Sequence, residues 1–264
     1  YEIRLSLVGS EMCIRDSVDG TTNLMVACKR RGVPKFVHTS SPSVVFDMKD
    51  ECNLNESAPY PKTFFNPYSW TKALAEELVL NANGRDGLLT CALRPHLLWG
   101  PRDNHLVPRI LERARKKQLL IVGKGLNKVD LTYIENAALA HVLAADAMAA
   151  NRVAGQAYFI SDDAPVVLWE WINALLQRMD IAPVVKRVPV SVAYGIGFCL
   201  ENLYELLKKQ EEPRLTRFLA KALSCSHFYD ISKAKRDFGY APRVSNEEGM
   251  ARTVEWFKAQ QKSD

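Results

Sequence analysis

Long apolar runs are what this sequence lacks most plainly. Its longest, Val188 to Leu200, contains Pro189, Gly195 and Gly197 and stops at Glu201, short of the roughly 18 uninterrupted apolar residues a membrane span needs. Paired cysteines are missing too. Cys13, Cys28, Cys52, Cys91, Cys199 and Cys225 are widely spaced with no CxxC, which argues against a zinc site or a redox pair and predicts mostly buried thiols in a reducing compartment. No metal is expected. Charge of one sign is scarce: 35 Lys and Arg against 30 Asp and Glu leave +5, too little and too dispersed to predict a nucleic-acid partner. The densest basic cluster, Arg113, Arg115, Lys116 and Lys117, reads as the solvated face of a helix. The N-terminus lacks the basic, apolar and small-residue order of a signal peptide, so the cytoplasm is the expected compartment. What is there is ordinary globular material: 47% apolar and 25% charged over 264 residues, enough for a sizeable core.

Residues 1–17 stand apart from the rest. LSLVGSEMCIRDS, Leu5 to Ser17, looks like a translated sequencing adaptor of the kind found at the ends of metagenomic reading frames. The alternative is an edge strand, because Ile3, Leu5 and Leu7 alternate with polar residues. We expect a non-native segment over 1–17 and authentic sequence from Val18.

From there, Val18, Thr21, Met25 and Cys28 recur at helical spacing, and Gly32 with Pro34 supplies a stop. KFVHTS, Lys35 to Ser40, reads as a short buried strand. Asn66 as cap and Pro67 in the first turn open a helix that carries Tyr68, Lys72, Leu74 and Leu78, with Gly84 as its stop. Leu88 to Leu93 is again of strand length, closed by Arg94-Pro95. A basic helix opening at Pro108, an Ala-rich helix over Glu135 to Ala150 and a strand over Ala157 to Ile160 continue the alternation. Beyond Asp162 the pattern turns helical, through LWEWINALLQRM, the apolar Val190 to Leu207 and a Ser245/Glu248 capping box. The expected fold is α/β: a doubly wound parallel sheet over 18–162 with a mainly helical C-terminal lobe over 163–264.

Tyr68 and Lys72 are four residues apart and so share one helix face. An ammonium beside a phenol favours phenolate and lowers a pKa of about 10, suiting Tyr to exchange a proton with an alcohol or ketone. Spacing alone does not single this pair out, since Tyr204 with Lys208 and Tyr229 with Lys233 repeat it and read as solvated helix faces. Context does. Ser40 and Ser41 end a predicted strand at the carboxyl edge where doubly wound folds place their chemistry. A hydroxyl there can donate to an oxygen gaining negative charge. A local turn hydrogen bond is the alternative.

Four stretches, TSSPSVVF (Thr39 to Phe46), NPYSWTKALAE (Asn66 to Glu76), LRPHLLWGPRD (Leu93 to Asp103) and VDLTYIENAALAH (Val129 to His141), together resemble the extended short-chain dehydrogenase/reductase superfamily. They are most similar to its 3β-hydroxysteroid dehydrogenase and sterol-4α-carboxylate 3-dehydrogenase branch. The resemblance runs from Val18 to near Phe257. It implies a Rossmann-type domain, with Tyr68 as acid/base, Lys72 lowering its pKa and holding the nicotinamide ribose, and Ser41 orienting the substrate oxygen. Pro95 to Leu98 would meet the nicotinamide carboxamide, so Tyr68, Lys72, Pro95, His96 and Leu98 are the expected cofactor contacts. For His96 a packed turn histidine is an equal alternative. Tyr133 and Asn136 are expected to be structural, and Pro42 to stiffen the loop after Ser41. The superfamily's Gly-rich turn, whose amides cradle a pyrophosphate, has no counterpart, since neither GxxGxxG nor GxGxxG occurs. The expectation is therefore a partial Rossmann-type domain whose first half is missing.

The function expected from this resemblance is an NAD-dependent oxidoreductase, NADP being left open, that interconverts a secondary alcohol of 3β-hydroxyl type and a ketone. As truncated, the chain is expected to be inactive. Its substrate would be small and apolar, steroid-like or long-chain, because Val188 to Leu207 is rich in apolar residues and poor in the Arg and Lys that grip a pyrophosphate. A nucleotide-sugar epimerase or dehydratase and a non-catalytic NAD(P)-sensing module are the alternatives. A peripheral membrane contact and a homodimer stay open.

Overall fold

The computed structural model describes residues 14–148, 152–207 and 213–261, so most of the suspected non-native segment lies outside the described residues. A turn of π-helix, Ile14–Asp19, runs into α1 (Gly20–Arg31). Gly32 ends α1 as expected. Its φ of +65° is the left-handed conformation glycine adopts without strain, and it lets the Gly32 N–H reach the carbonyls of the last turn.

β1 (Lys35–Thr39) and β2 (Glu51–Leu54) follow, then α2 (Pro67–Asn81). The Asn66 side chain accepts from the Ser69 N–H at 2.7 Å, and α2 finishes at Ala82, before the expected Gly84 stop. β3 (Leu89–Pro95) and β4 (Leu98–Trp99) lead to α3 (Leu106–Arg115). Here the Asp103 carboxylate accepts from the N–H groups of His105, Leu106 and Val107. That cap starts α3 before Pro108, where the sequence pattern alone places the opening. Short β5 (Ile121–Val122), β6 (Lys128–Val129) and β7 (Thr132–Tyr133) precede α4 (Ile134–Ala147) and β8 (Ala157–Ile160). The remainder is β9 (Val166–Val167), α5 (Leu168–Arg178), β10 (Arg187–Val188), α6 (Val190–Leu206), α7 (Arg217–Ala222), β11 (His227–Tyr229), α8 (Ser232–Phe238) and α9 (Asn246–Gln261). Glu248 N donates to Ser245 Oγ in the first turn of α9.

β1, β3 and β8 form a parallel sheet in the order β1-β3-β8, with Thr39 opposite Leu93 and Pro95 opposite Ile160. Central β3 is buried along nearly its whole length, which is why its sequence is mainly apolar on both faces, with Thr90 and Arg94 as the polar interruptions. On one face Thr90 donates to the Val79 carbonyl and Arg94 pairs with Glu76, both of α2. The alternate residues Cys91 and Leu93 join Ala140 and Ala144 of α4 in one core cluster. Helices therefore cover both faces, as a doubly wound sheet requires.

The lobe is mainly helical, but it borrows strands from earlier in the chain. β2 and β6 flank β11 in a four-stranded sheet closed by β9, and β5 pairs with β10. Trp99, Leu131, Tyr133, Trp169, Trp171 and Leu175 form its core. Asn136 ties this lobe to the sheet domain, donating to Asp162 and the Val244 carbonyl and accepting from the Arg243 and Val244 N–H groups. Two expectations need correction. Among the described residues Cys52 and Cys199 are exposed, Cys28 is half-buried, and only Cys91 and Cys225 are buried, because β2 and α6 turn the first two side chains outward. The basic cluster is not wholly solvated either, since Arg113 lines a cavity. Among the described residues no helix is long and apolar enough to cross a membrane.

Candidate active site

Helical spacing sets Tyr68, Lys72 and Glu76 in one row along α2. Tyr68, at the mouth, is half exposed. One turn deeper, the Lys72 ammonium donates to the Thr39 carbonyl at 2.7 Å. Burial lowers the Lys72 pKa, while the Glu76 carboxylate opposes the shift. Glu76 is fully buried and accepts from Arg94 Nε at 3.0 Å, from Arg94 Nη2 and from the Tyr60 hydroxyl at 2.6 Å. Burial pushes its carboxyl up, but the Arg94 hydrogen bonds and charge outweigh that and leave it below the usual range. Thr39 is itself held. His141 donates from Nδ1 to the Ala137 carbonyl, so its Nε2 accepts from the Thr39 hydroxyl at 2.8 Å.

Ser41 ends the segment after β1 and caps a single 3₁₀ turn, Pro42–Val44. Its Oγ accepts from the Ser43 N–H at 3.2 Å, which leaves its own O–H to donate elsewhere. Pro42 is buried as the first residue of that turn. Ser41, Tyr68, Lys72, Pro95, His96 and Leu98 all line one cleft of about 410 Å³. The structure thus brings together every residue singled out from the sequence for a site.

It also adds residues that sequence reasoning missed. Phe46, Phe218, His227 and Tyr229 complete the cleft wall. Tyr229 corrects an expectation: it lies on strand β11, buried, with its hydroxyl donating to Glu51 at 2.8 Å, while Lys233 on α8 donates to the Ala157 carbonyl. The interval that would place this pair on one helix face spans a strand and a helix instead. Lys208, the partner considered for Tyr204, lies outside the described residues.

His96 is packed and also lines the cleft. Its Nδ1 donates to the Asp130 carbonyl at 2.7 Å, and His227 Nε2 donates to the Ala222 carbonyl at 2.8 Å. Burial lowers both pKa values, so both rings are neutral at pH 7, and they meet edge to face at 4.8 Å. Beneath them Leu97 holds a φ of +42°, a strained value for a branched side chain. Leu97, Ala222 and His227 also line a second cavity of about 510 Å³ inside the lobe.

For a nicotinamide cofactor the described residues fit one end. Lys72 makes one hydrogen bond to Thr39 and keeps ammonium N–H groups for ribose hydroxyls, and the Pro95–Leu98 turn edges the same cleft.

A profile of the 3-beta hydroxysteroid dehydrogenase/isomerase family matches residues 5–189. The 2-alkyl-3-oxoalkanoate reductase of Shewanella oneidensis is 50% identical over 244 residues, covering 89% of this chain and 63% of that protein. This chain therefore spans less than two thirds of that relative's length. The decarboxylating sterol-4-alpha-carboxylate 3-dehydrogenase of Mus musculus is 35% identical over 252 residues, covering 94% of this chain and 70% of that protein. Among solved structures, gox2253 superposes with a TM-score of 0.74 at 25% identity, covering 98% of this chain and 76% of that one. The NAD complex of UDP-glucuronic acid 4-epimerase from Bacillus cereus shares the fold, with a TM-score of 0.66 at 20% identity and coverage of 94% and 69%.

Proposed function

Because the chain belongs to the 3-beta hydroxysteroid dehydrogenase/isomerase family, we propose that the whole protein is an NAD-dependent oxidoreductase that interconverts a secondary alcohol and a ketone on an apolar substrate. The observation that carries this reading is the convergence of Ser41, Tyr68 and Lys72 on a cleft that adjoins an apolar lobe cavity.

In the reductive direction the substrate oxygen lies between the Tyr68 phenol and the Ser41 hydroxyl. Ser41 donates to it as negative charge grows, and Tyr68 delivers the proton that completes the alcohol. In oxidation the Tyr68 phenolate takes that proton back. The Lys72 ammonium stabilises the phenolate, and Glu76, anchored by Arg94 and Tyr60, favours the charged form of Lys72. When bound, the cofactor would supply a hydride to the carbonyl carbon as NADH or accept one from the carbinol carbon as NAD; Lys72 and the Pro95–Leu98 turn would hold its nicotinamide end. This sequence has no Gly-rich turn for a pyrophosphate, so residues 1–264 alone are expected not to turn over.

The relatives' names point to two apolar substrate types, a 2-alkyl-3-oxoalkanoate and a sterol carboxylate. The lobe cavity, walled by Leu131, Leu168, Trp169 and Ile172, suits either. Assaying the whole protein with a 3-hydroxysteroid, a 2-alkyl-3-oxoalkanoate and a UDP-sugar tests the reading. Turnover of the UDP-sugar alone would replace it with the epimerase or dehydratase alternative. A peripheral membrane contact or a homodimer would use the α6 face that exposes Val192, Leu203 and Leu206; flotation with neutral liposomes and sedimentation distinguish them.

A further inference from the structure

Helix α4 grips β1 at both ends of the strand. At its start the Lys35 ammonium donates to the Ala145 carbonyl at 2.7 Å, and at its end the Thr39 hydroxyl donates to His141 Nε2 at 2.8 Å. Ala145 and His141 are one helical turn apart, so both contacts lie on one face of α4. The rest of that face packs by apolar contact, with Ala140 and Ala144 in one cluster with Cys91 and Leu93. The His141 ring is itself fixed, because Nδ1 donates to the Ala137 carbonyl at 2.7 Å one turn back. In that tautomer Nε2 can only accept.

β1 ends at Thr39, and the orientation of this last residue decides where Lys72 rests. The Ser40 N–H donates to the Leu93 carbonyl at 2.7 Å. Successive peptides of a strand point to opposite sides, so the Thr39 carbonyl faces away from β3. There it accepts from the Lys72 ammonium at 2.7 Å. Thr39 therefore joins the two faces of the sheet: its hydroxyl is held by α4 and its carbonyl meets α2.

We propose that His141 is a positioning residue for the Tyr68 centre: by holding the Thr39 hydroxyl it fixes the last peptide of β1, and so the carbonyl against which the Lys72 ammonium rests one helical turn from Tyr68. The effect is indirect, since His141 approaches from the other face of the sheet and does not line the cleft. Without the tether the Thr39 peptide can turn, and the ammonium loses the acceptor that keeps it beside the phenol. That the ionisation of Tyr68 governs turnover rests on the catalytic reading above. That His141 acts on it through Thr39 and Lys72 does not.

The test titrates the Tyr68 phenolate of the whole protein by ultraviolet difference against Tyr68→Phe, with kcat/KM followed over the same pH range. Thr39→Val, which removes the hydroxyl at nearly constant shape, and His141→Leu should each raise the ionisation by about half to one pH unit, the worth of one hydrogen bond. Near neutral pH, kcat/KM should fall by about 3- to 10-fold in step with the lost phenolate. The double variant His141→Leu/Thr39→Val should match either single one, because both remove the same contact. His141→Gln, whose side-chain oxygen can accept where Nε2 does, should return the titration to wild type. Lys35→Met removes the other contact between α4 and β1, so it should lower the melting temperature without moving the titration. That variant separates positioning from loosened packing. An unmoved titration in His141→Leu and Thr39→Val, additive shifts in the double variant, or a Lys35→Met shift as large as theirs would each overturn the proposal. So would His141→Gln behaving as His141→Leu. Should His141→Leu not fold, Thr39→Val and Lys35→Met decide. A Tyr68→Phe enzyme with wild-type turnover, found beside the expected shifts in titration, would end the catalytic reading and leave this one standing.

Discussion

Lys72 holds its ammonium against the Thr39 carbonyl one helical turn from Tyr68, and in the proposed mechanism that charge favours the phenolate. Replacing it with an uncharged side chain of similar length, Lys72→Met, should raise the pKa on the relevant limb of the whole protein's rate profile toward about 10, the ordinary phenol value. A profile that does not move would remove Lys72 from that role. Buried titratable groups leave a second signature, in stability. His38 is buried, and burial first, then the Lys72 charge, lowers its pKa to about 4. The unfolded chain takes up this proton near pH 6.5 and the folded one only near 4. Stability should therefore be unaffected above pH 6.5 and fall as pH drops from 6.5 to 4, by roughly 3 kcal/mol from this residue. Glu51 works in the opposite sense, because burial raises its carboxyl to about 7. The fold keeps that proton while the unfolded chain loses it, so stability falls as pH rises toward 7. Urea melts should show His38→Gln with a shallower acid limb, and Glu51→Gln gaining more at pH 8 than at pH 5.

At the scale of elements, α2 is pinned to β3 by the buried Glu76–Arg94 pair. Breaking it on one side strands a buried charge. Arg94→Met should destabilise by about 3–5 kcal/mol, and Arg94→Met/Glu76→Leu should recover much of the loss in a thermal melt. A double variant as unstable as the single would mean that packing, and not the stranded carboxylate, sets the penalty. α6 offers a sharper contrast. A Cβ at Gly197 would meet the Thr216 and Arg217 backbone at 2.7 Å, whereas a Cβ at Gly195 meets nothing within 4 Å. Gly197→Ala should destabilise by about 1–3 kcal/mol, and Gly195→Ala should stabilise by about 0.5–1 kcal/mol through helix propensity. Two variants that shift the melt in the same direction would contradict the contact between α6 and α7.

These elements differ in how far the sequence announces them. The Asn66 cap, the Tyr68/Lys72 interval and the buried run of β3 are local signals, and each is found where it was expected. Glu76 could have been found as well, since it extends the Tyr68/Lys72 row by one more turn. Strands β5, β6, β7, β9 and β10 have two residues each, too few for any periodicity. β2 acquires its partner only when β11 arrives from the far end of the chain. Tyr229 is brought to the cleft wall by that long-range pairing, so its sequence neighbourhood does not place it there.

For the molecule as a whole, the parallel sheet supplies Ser41 from the segment after β1 and the Pro95–Leu98 turn after β3, while α2 supplies Tyr68 and Lys72. The lobe closes over them with β11 and α7, and Asn136 locks the two parts together. The division of labour that we propose is a reactive carbonyl held at the sheet edge and an apolar body received by the lobe. The most direct measurement is kcat/KM of the whole protein with NAD or NADH on a 3-hydroxysteroid or a 2-alkyl-3-oxoalkanoate, for wild type, Tyr68→Phe and Tyr204→Phe. Removing the proton donor should lower kcat/KM by about 10²- to 10⁴-fold, with Tyr204→Phe close to wild type. A Tyr68→Phe enzyme that keeps wild-type turnover on its best substrate would contradict the assignment of this cleft as the place where the alcohol and ketone interconvert.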